Sequence, residues 1–165
     1  MTQEIRHPIP PVWNENSRIL ILGSFPSVKS RETGFFYGHP QNRFWRVLAA
    51  VTGDTLPGTA EEKKAFLLRN RIALWDVIAS CEVTGSSDAS IRNAYPTDLA
   101  PILAGADIGK IYCNGTTAYR LYCRYQQKTL GREAYLLPST SPANAAWSME
   151  RLTAAWNVIQ EDIKN

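Results

Sequence analysis

Residues 18–23, R-I-L-I-L-G, constrain the fold more than any other stretch, with four aliphatic side chains in a row closed by a glycine. A strand with one wet face would alternate polar and apolar residues. An unbroken run suits a central parallel strand covered by helices on both sides. I-G-K-I-Y-C-N-G, 108–115, and A-Y-L-L-P, 134–138, follow the same pattern, and R-I-A-L-W-D-V-I, 71–78, reads as a further strand running into a loop rich in Ser, Gly and Asp. Between them lie helical segments. In 41–52, Phe44, Val47, Leu48 and Val51 recur at helical spacing, so a helix is expected from Gln41 or Asn42 to a stop at Gly53. Others are expected over 60–70, over 98–104 (Asp98 near its start, Pro101 in its first turn), over 116–125 and over 146–162.

Alternating strands and helices need crossovers. The chain is therefore read as α/β, a three-layer α/β/α sandwich around a mainly parallel four-stranded sheet, in one domain over residues 1–165. Three prolines in 7–17 argue against regular structure there. Residues 1–17 are expected to form an N-terminal surface segment, with His7 in a mobile lead-in.

Composition excludes several functions. Lys plus Arg exceed Asp plus Glu by 18 to 15, for a net charge of +3, and the basic residues are scattered. A nucleic-acid partner is permitted but not demanded, and its site would have to be assembled by folding. Cys81, Cys113 and Cys123 include no C-x-x-C pair and read as reduced, buried thiols, against zinc or iron–sulfur ligation. No long apolar run or signal-peptide segment is seen, so the expected location is cytoplasmic, with no membrane association.

Three strands end directly in polar loops, G-S-F-P-S, N-G-T-T and P-S-T-S-P-A-N. Ligands of open α/β sheets bind beyond the carboxyl ends of the strands. The segment G-F-F-Y-G-H-P-Q-N-R-F-W, 34–45, adds five aromatic rings. There is neither G-x-G-x-x-G nor G-K-[ST], so dinucleotide and P-loop chemistry are excluded. G-S-F-P-S is not a G-x-S-x-G elbow, and two histidines are too few for a convincing triad or metal site. Rings, amides, hydroxyls and backbone N–H groups remain. They suit a flat, polar, uncharged ligand such as a nucleobase flipped out of a duplex.

On these segments the chain resembles the uracil-DNA glycosylase superfamily, and within it the hypoxanthine (deoxyinosine) DNA glycosylases. G-S-F-P-S, 23–27, is similar to the first superfamily motif. F-Y-G-H-P-Q-N-R-F-W, 36–45, is similar to a stretch shared with mismatch-specific uracil glycosylases. L-P-S-T-S-P-A-N, 137–144, resembles the second motif, while A-L-W-D-V-I-A-S-C, 73–81, and C-N-G-T-T-A, 113–118, recur in the hypoxanthine branch. The resemblance implies a monofunctional glycosylase that releases hypoxanthine and leaves an abasic site in base excision repair, without a cofactor or metal. The expected partner is double-stranded DNA carrying a deaminated base, with single-stranded DNA a further substrate, and the protein acts as a monomer. A uracil or mismatch-specific uracil/thymine glycosylase is the alternative, and a non-catalytic module that binds modified bases is another.

Most branches place an Asp or Asn where this chain has Phe25, which can neither position nor polarise water. The resemblance moves that role to Asn42, which also fits an N-cap. It makes Tyr37 the ring stacked on the flipped base. His39 either touches the base or braces its loop. Asn114, at a strand end, either reads the base edge or caps the turn before Gly115. Ser24 and Phe25 belong to the base pocket. Ser27, Ser139, Thr140 and Ser141 are expected on DNA phosphates or in the minor groove, unless they only form Ser/Thr turns. Asn144 is expected to reach the opposite strand. Asp76 is read as a cap or an arginine partner, Trp45, Trp75 and Trp156 as core.

Overall fold

The computed structural model describes residues 2–84 and 91–164. The strands are β1 (Thr2–Arg6), β2 (Ile19–Gly23), β3 (Ile72–Asp76), β4 (Ile78–Thr84), β5 (Arg92–Pro96), β6 (Lys110–Asn114) and β7 (Ala134–Leu137). The helices are α1 (Val28–Thr33), α2 (Phe44–Thr52), α3 (Ala60–Arg69), α4 (Ala100–Gly105), α5 (Thr116–Tyr125), α6 (Gln127–Leu130), α7 (Met149–Trp156) and α8 (Ile159–Ile163).

A four-stranded parallel sheet in the order β3-β2-β6-β7 forms the middle layer. Its central strand explains its sequence. Ile19 and Ile21 join one core with Phe44, Leu48, Phe66 and Trp156, while Leu20 and Leu22 join another with Ile102, Cys113 and Tyr122. All four aliphatic side chains are fully buried, each stabilising the fold by about 1.5–3 kcal/mol. The α/β/α sandwich therefore stands. The register pairs Gly23 with Asp76 and Asn114 with Leu137, so the carboxyl ends of the strands share one rim.

A second, antiparallel sheet, β1-β4-β5, lies beside it and was not expected from the sequence. The loop anticipated after residue 78 begins instead as β4, which β5 joins; the Ser/Gly-rich residues 85–90 of that expected loop lie outside the described residues. The bend from β3 into β4 hangs on β2, with Val77 N–H donating to Gly23 O (2.8 Å) and Ile78 N–H to Ser24 O (3.1 Å). The segment 1–17 also differs from a surface lead-in. Residues Thr2–Arg6 pair with β4, and Ile9, Val12 and Ser17 are buried. Val12 exchanges backbone bonds with Leu74, which gives the proline-rich stretch partners without regular structure.

Other boundaries shift for local reasons. The loop 24–40 contains α1, whose first turn is capped when Ser30 N–H donates to Ser27 Oγ. Helix α2 begins at Phe44 rather than Gln41 or Asn42, because Asn42 Oδ1 turns back to accept from Phe44 N–H; Gly53 ends it at φ 72°. The closing helix is two pieces, α7 and α8. Cys81 and Cys113 are buried, whereas Cys123 is exposed. Among the described residues no helix is long and apolar enough to cross a membrane.

Candidate active site

A cleft of about 440 Å³ opens over the rim of the parallel sheet. Strand ends supply Gly23, Asp76 and Asn114; the first loop supplies Ser24, Phe25 and Ser27; the aromatic segment supplies Phe36, Tyr37, His39 and Asn42; the last loop supplies Ser139, Thr140 and Ser141. Ten of the eleven sequence-derived site residues thus line one cavity. Asn144 is the exception. Its Nδ2 donates to Ser139 O at 2.9 Å, within its own loop.

Gly23 shows how tightly the floor is built. A Cβ there would stand 2.3 Å from Asp76 Oδ1 and 2.8 Å from the Tyr37 hydroxyl oxygen, so only glycine lets both groups close over the strand end. Tyr37 has φ 54°, a left-handed conformation costly for a large side chain. Its ring is held by a parallel stack on Phe44, centroids 4.0 Å apart. The next residue is fixed as well, with Gly38 N–H donating to Ser30 Oγ at 3.0 Å. His39 is exposed and its Nδ1 accepts from Gln41 N–H at 3.1 Å, which braces the turn into Asn42.

Asn42 and Asn114 are joined through a residue between them. Asn114 Nδ2 donates to Thr140 Oγ1 (3.0 Å), and Thr140 Oγ1 donates to Asn42 Oδ1 (2.8 Å). Thr140 N–H also donates to Asn114 Oδ1 at 3.1 Å. Thr140 is fully buried, so the expectation that it contacts DNA is corrected: its hydroxyl and its N–H are both spent on asparagines. Ser139 and Ser141 sit half-buried at the rim. Ser139 Oγ accepts from Ser141 N–H and Ser141 Oγ from Ala143 N–H, as in Ser/Thr turns, which leaves each hydroxyl proton for another acceptor. Ser27 is exposed at the start of α1.

Three residues the sequence reading did not assign to the site matter to it. Arg43 N–H donates to Thr140 O, and its guanidinium donates to the carbonyls of Ser141 (3.0 Å), Asn144 (3.1 Å) and Trp147, so one side chain clamps the last loop. Arg31 lines the cleft beside Phe25, its guanidinium carbon 5.8 Å from the ring centroid. Asp76, read as a cap or an arginine partner, accepts instead from His7. The His7 Nε2 to Asp76 Oδ2 distance is 2.7 Å, both side chains are nearly inaccessible, and Ile9 N–H donates to His7 Nδ1, which places the ring proton on Nε2. His7 lies among Phe25, Phe36 and Trp75 at 5.8–6.0 Å, not in a mobile lead-in. Below Asn114, burial above all pushes the Cys113 thiol up to about 12, so it stays an uncharged packing group.

The cleft thus offers one supported ring, two oriented amides, a carboxylate held by a histidine and a rim of hydroxyls. Among the described residues no group of three His, Cys, Asp or Glu side chains is placed to hold a metal.

The family model of the uracil DNA glycosylase superfamily matches residues 10–161. A protein of Methanosarcina acetivorans named hypoxanthine DNA glycosylase is 36% identical over 159 residues, which span 94% of this chain and 98% of that one. Another of that name, from Methanosarcina barkeri, is 33% identical over 156 residues, or 89% and 92% of the two chains. The solution structure of a candidate uracil DNA glycosylase from Methanosarcina acetivorans matches the fold with a TM-score of 0.82 at 32% identity, both chains covered completely.

Proposed function

Because the chain belongs to the uracil DNA glycosylase superfamily, we propose that it is a monofunctional DNA glycosylase that hydrolyses the N-glycosidic bond of deoxyinosine, releasing hypoxanthine. The observation that carries this reading is the convergence of the Tyr37 ring, Asn42, Asn114 and Asp76 on one cleft at the strand ends. Its volume lies in the usual range for small-ligand pockets. The names borne by the two near-full-length relatives agree with it.

The duplex would present the deaminated nucleotide flipped out, with the base stacked against the Tyr37 ring. Hypoxanthine offers N1–H as a donor and O6 as an acceptor. Asp76 accepts the N1–H, and the remaining N–H of Asn114 donates to O6. Adenine presents a lone pair at N1, which the carboxylate repels, so the same contact selects against the normal base. As the C1′–N9 bond breaks, its electron pair stays on the base, and the donor amides stabilise that charge. The sugar develops oxocarbenium character, as in other glycoside hydrolyses. Water held by Asn42 then bonds to C1′, and the proton it loses passes through solvent to the departed base anion, leaving an abasic site and neutral hypoxanthine. Such water needs placement more than a strong base, which is consistent with an amide at this position and a phenyl ring at Phe25. Arg31, Ser27, Ser139 and Ser141 would meet the backbone phosphates. The enzyme acts as a cytoplasmic monomer on duplex DNA without a cofactor, and single strands are further substrates.

Uracil presents the same lactam edge, so the test must separate the two bases. With enzyme in excess over matched duplexes bearing hypoxanthine, uracil, a thymine mismatch or adenine, hypoxanthine is expected to be released fastest and adenine not at all. Release of uracil alone would replace the substrate assignment. Tight binding with no release from any duplex would end the enzyme reading.

A further inference from the structure

We propose that Thr140 is a positioning residue that fixes the polarity of Asn42, so that the amide presents its Nδ2–H₂ donors, not its carbonyl oxygen, to the reacting groups. This rests on the glycosylase reading above and on four bonds. A backbone N–H can only donate. Phe44 N–H therefore identifies the atom it meets 3.0 Å away as Asn42 Oδ1, and Thr140 N–H identifies its partner as Asn114 Oδ1. Neither amide can be flipped without placing two donors face to face. Asn114 must then donate through Nδ2 to Thr140 Oγ1, and the single hydroxyl proton of Thr140 must go to Asn42 Oδ1.

The relay has one direction, from Asn114 through Thr140 to Asn42. Its consequence is an exact count. Both lone pairs of Asn42 Oδ1 are taken, by Phe44 N–H and by Thr140. What Asn42 retains for the cleft is a pair of N–H donors, which can hold water by its oxygen or stabilise charge on the departing base, but cannot take a proton. Asn114 keeps one N–H and one lone pair, the complement of a lactam edge. Because Thr140 is fully buried, no solvent competes for these bonds. A Ser-Thr-Ser loop read as surface thus has its middle residue turned inward to orient both asparagines.

The test is single-turnover release of hypoxanthine from a duplex by wild type, Thr140→Val, Thr140→Ser and Asn42→Asp. Wild-type release establishes the glycosylase reading independently, and its absence counts against that reading alone. Given release, Thr140→Val keeps the shape and loses the hydroxyl. Its plateau rate should fall roughly tenfold, the worth of one hydrogen bond, with a smaller rise in the enzyme concentration at half-saturation, because Thr140 N–H still holds Asn114 Oδ1. Thr140→Ser restores the hydroxyl and should recover most of the rate. Asn42→Asp can accept both existing bonds but replaces the donors with an acceptor, so it should lose about as much rate as Asn42→Ala. Three results would overturn the proposal: a wild-type rate in Thr140→Val, equal losses in the Val and Ser variants, or an active Asn42→Asp. If Thr140→Val does not fold, Asn42→Asp decides the matter by itself, since its fold-supporting bonds are kept.

Discussion

The two sheets meet at the cleft and are built to opposite rules. In the parallel sheet β2 is buried on both faces, so Ile19–Leu22 are all aliphatic, and the cleft is met where the strands stop, at Gly23, Asp76 and Asn114. The antiparallel sheet shows the reverse: Arg92, Asn93, Tyr95 and Pro96 of β5 are exposed, Ile91 just before β5 lines the cleft, and His7 just beyond β1 holds Asp76 from behind. One sheet is a rigid rim for the reacting groups; the other holds a single carboxylate in place. Lesions on the two sides should therefore have different signatures.

The largest effect is expected on the loops anchored to the parallel sheet. Asn42→Ala should lower the single-turnover rate by about 10²–10³, as for other preorganised transition-state donors, with duplex binding retained in a gel-shift or anisotropy titration. Gly23→Ala tests the seam between the sheets. The new methyl meets Asp76 and Tyr37 at less than contact distance, and overpacking of this kind costs about 1–3 kcal/mol; a lower melting temperature and a slower release rate should appear together. His7→Phe removes the partner of Asp76 and belongs to the antiparallel side. Leaving a buried acceptor unpaired costs about 1–3 kcal/mol. Stability and the hypoxanthine-to-adenine selectivity should fall, while residual hypoxanthine release persists. If His7→Phe were as inactive as Asn42→Ala, the division between the sheets would be wrong.

Tyr37→Ala should weaken binding of the flipped base by about 1–3 kcal/mol, the range for base–aromatic stacking, read as a raised half-saturation with a smaller change in plateau rate. The smallest effect is expected far from both sheets. The Arg69 guanidinium and the Asn70 amide hold the Asp54 carboxyl below the usual carboxylate range. A depressed folded-state value adds stability above the ordinary carboxylate pKa, and that stability is lost as pH falls through the depressed value. Asp54→Asn should thus lower the melting temperature slightly at neutral pH, with the difference from wild type vanishing in strong acid and base release untouched.

How much of this could be read from the sequence follows the same division. Continuous burial writes itself into R-I-L-I-L-G, and glycines and serines after the strands mark the rim, so the sandwich and the cleft were legible, whereas Asn42 was singled out by the family resemblance and lies in that cleft. The antiparallel strands were not, because T-Q-E-I-R and R-N-A-Y-P have neither an aliphatic run nor clean alternation. Partnerships across long separations were equally silent. His7 and Asp76 are 69 residues apart, and Arg43 reaches carbonyls about a hundred residues away. Thr140 was misplaced because three small hydroxyl residues in a row look alike until the fold buries the middle one.

The bond from His7 to Asp76 also bears on how the gene is read and expressed. A start codon chosen downstream of His7 would yield a polypeptide with its aliphatic sheet complete and the Asp76 carboxylate of the cleft without its histidine. Such a product is expected to be less stable and, like His7→Phe, to discriminate poorly between a damaged purine and its normal counterpart. Any affinity tag is better fused at the other end of the chain.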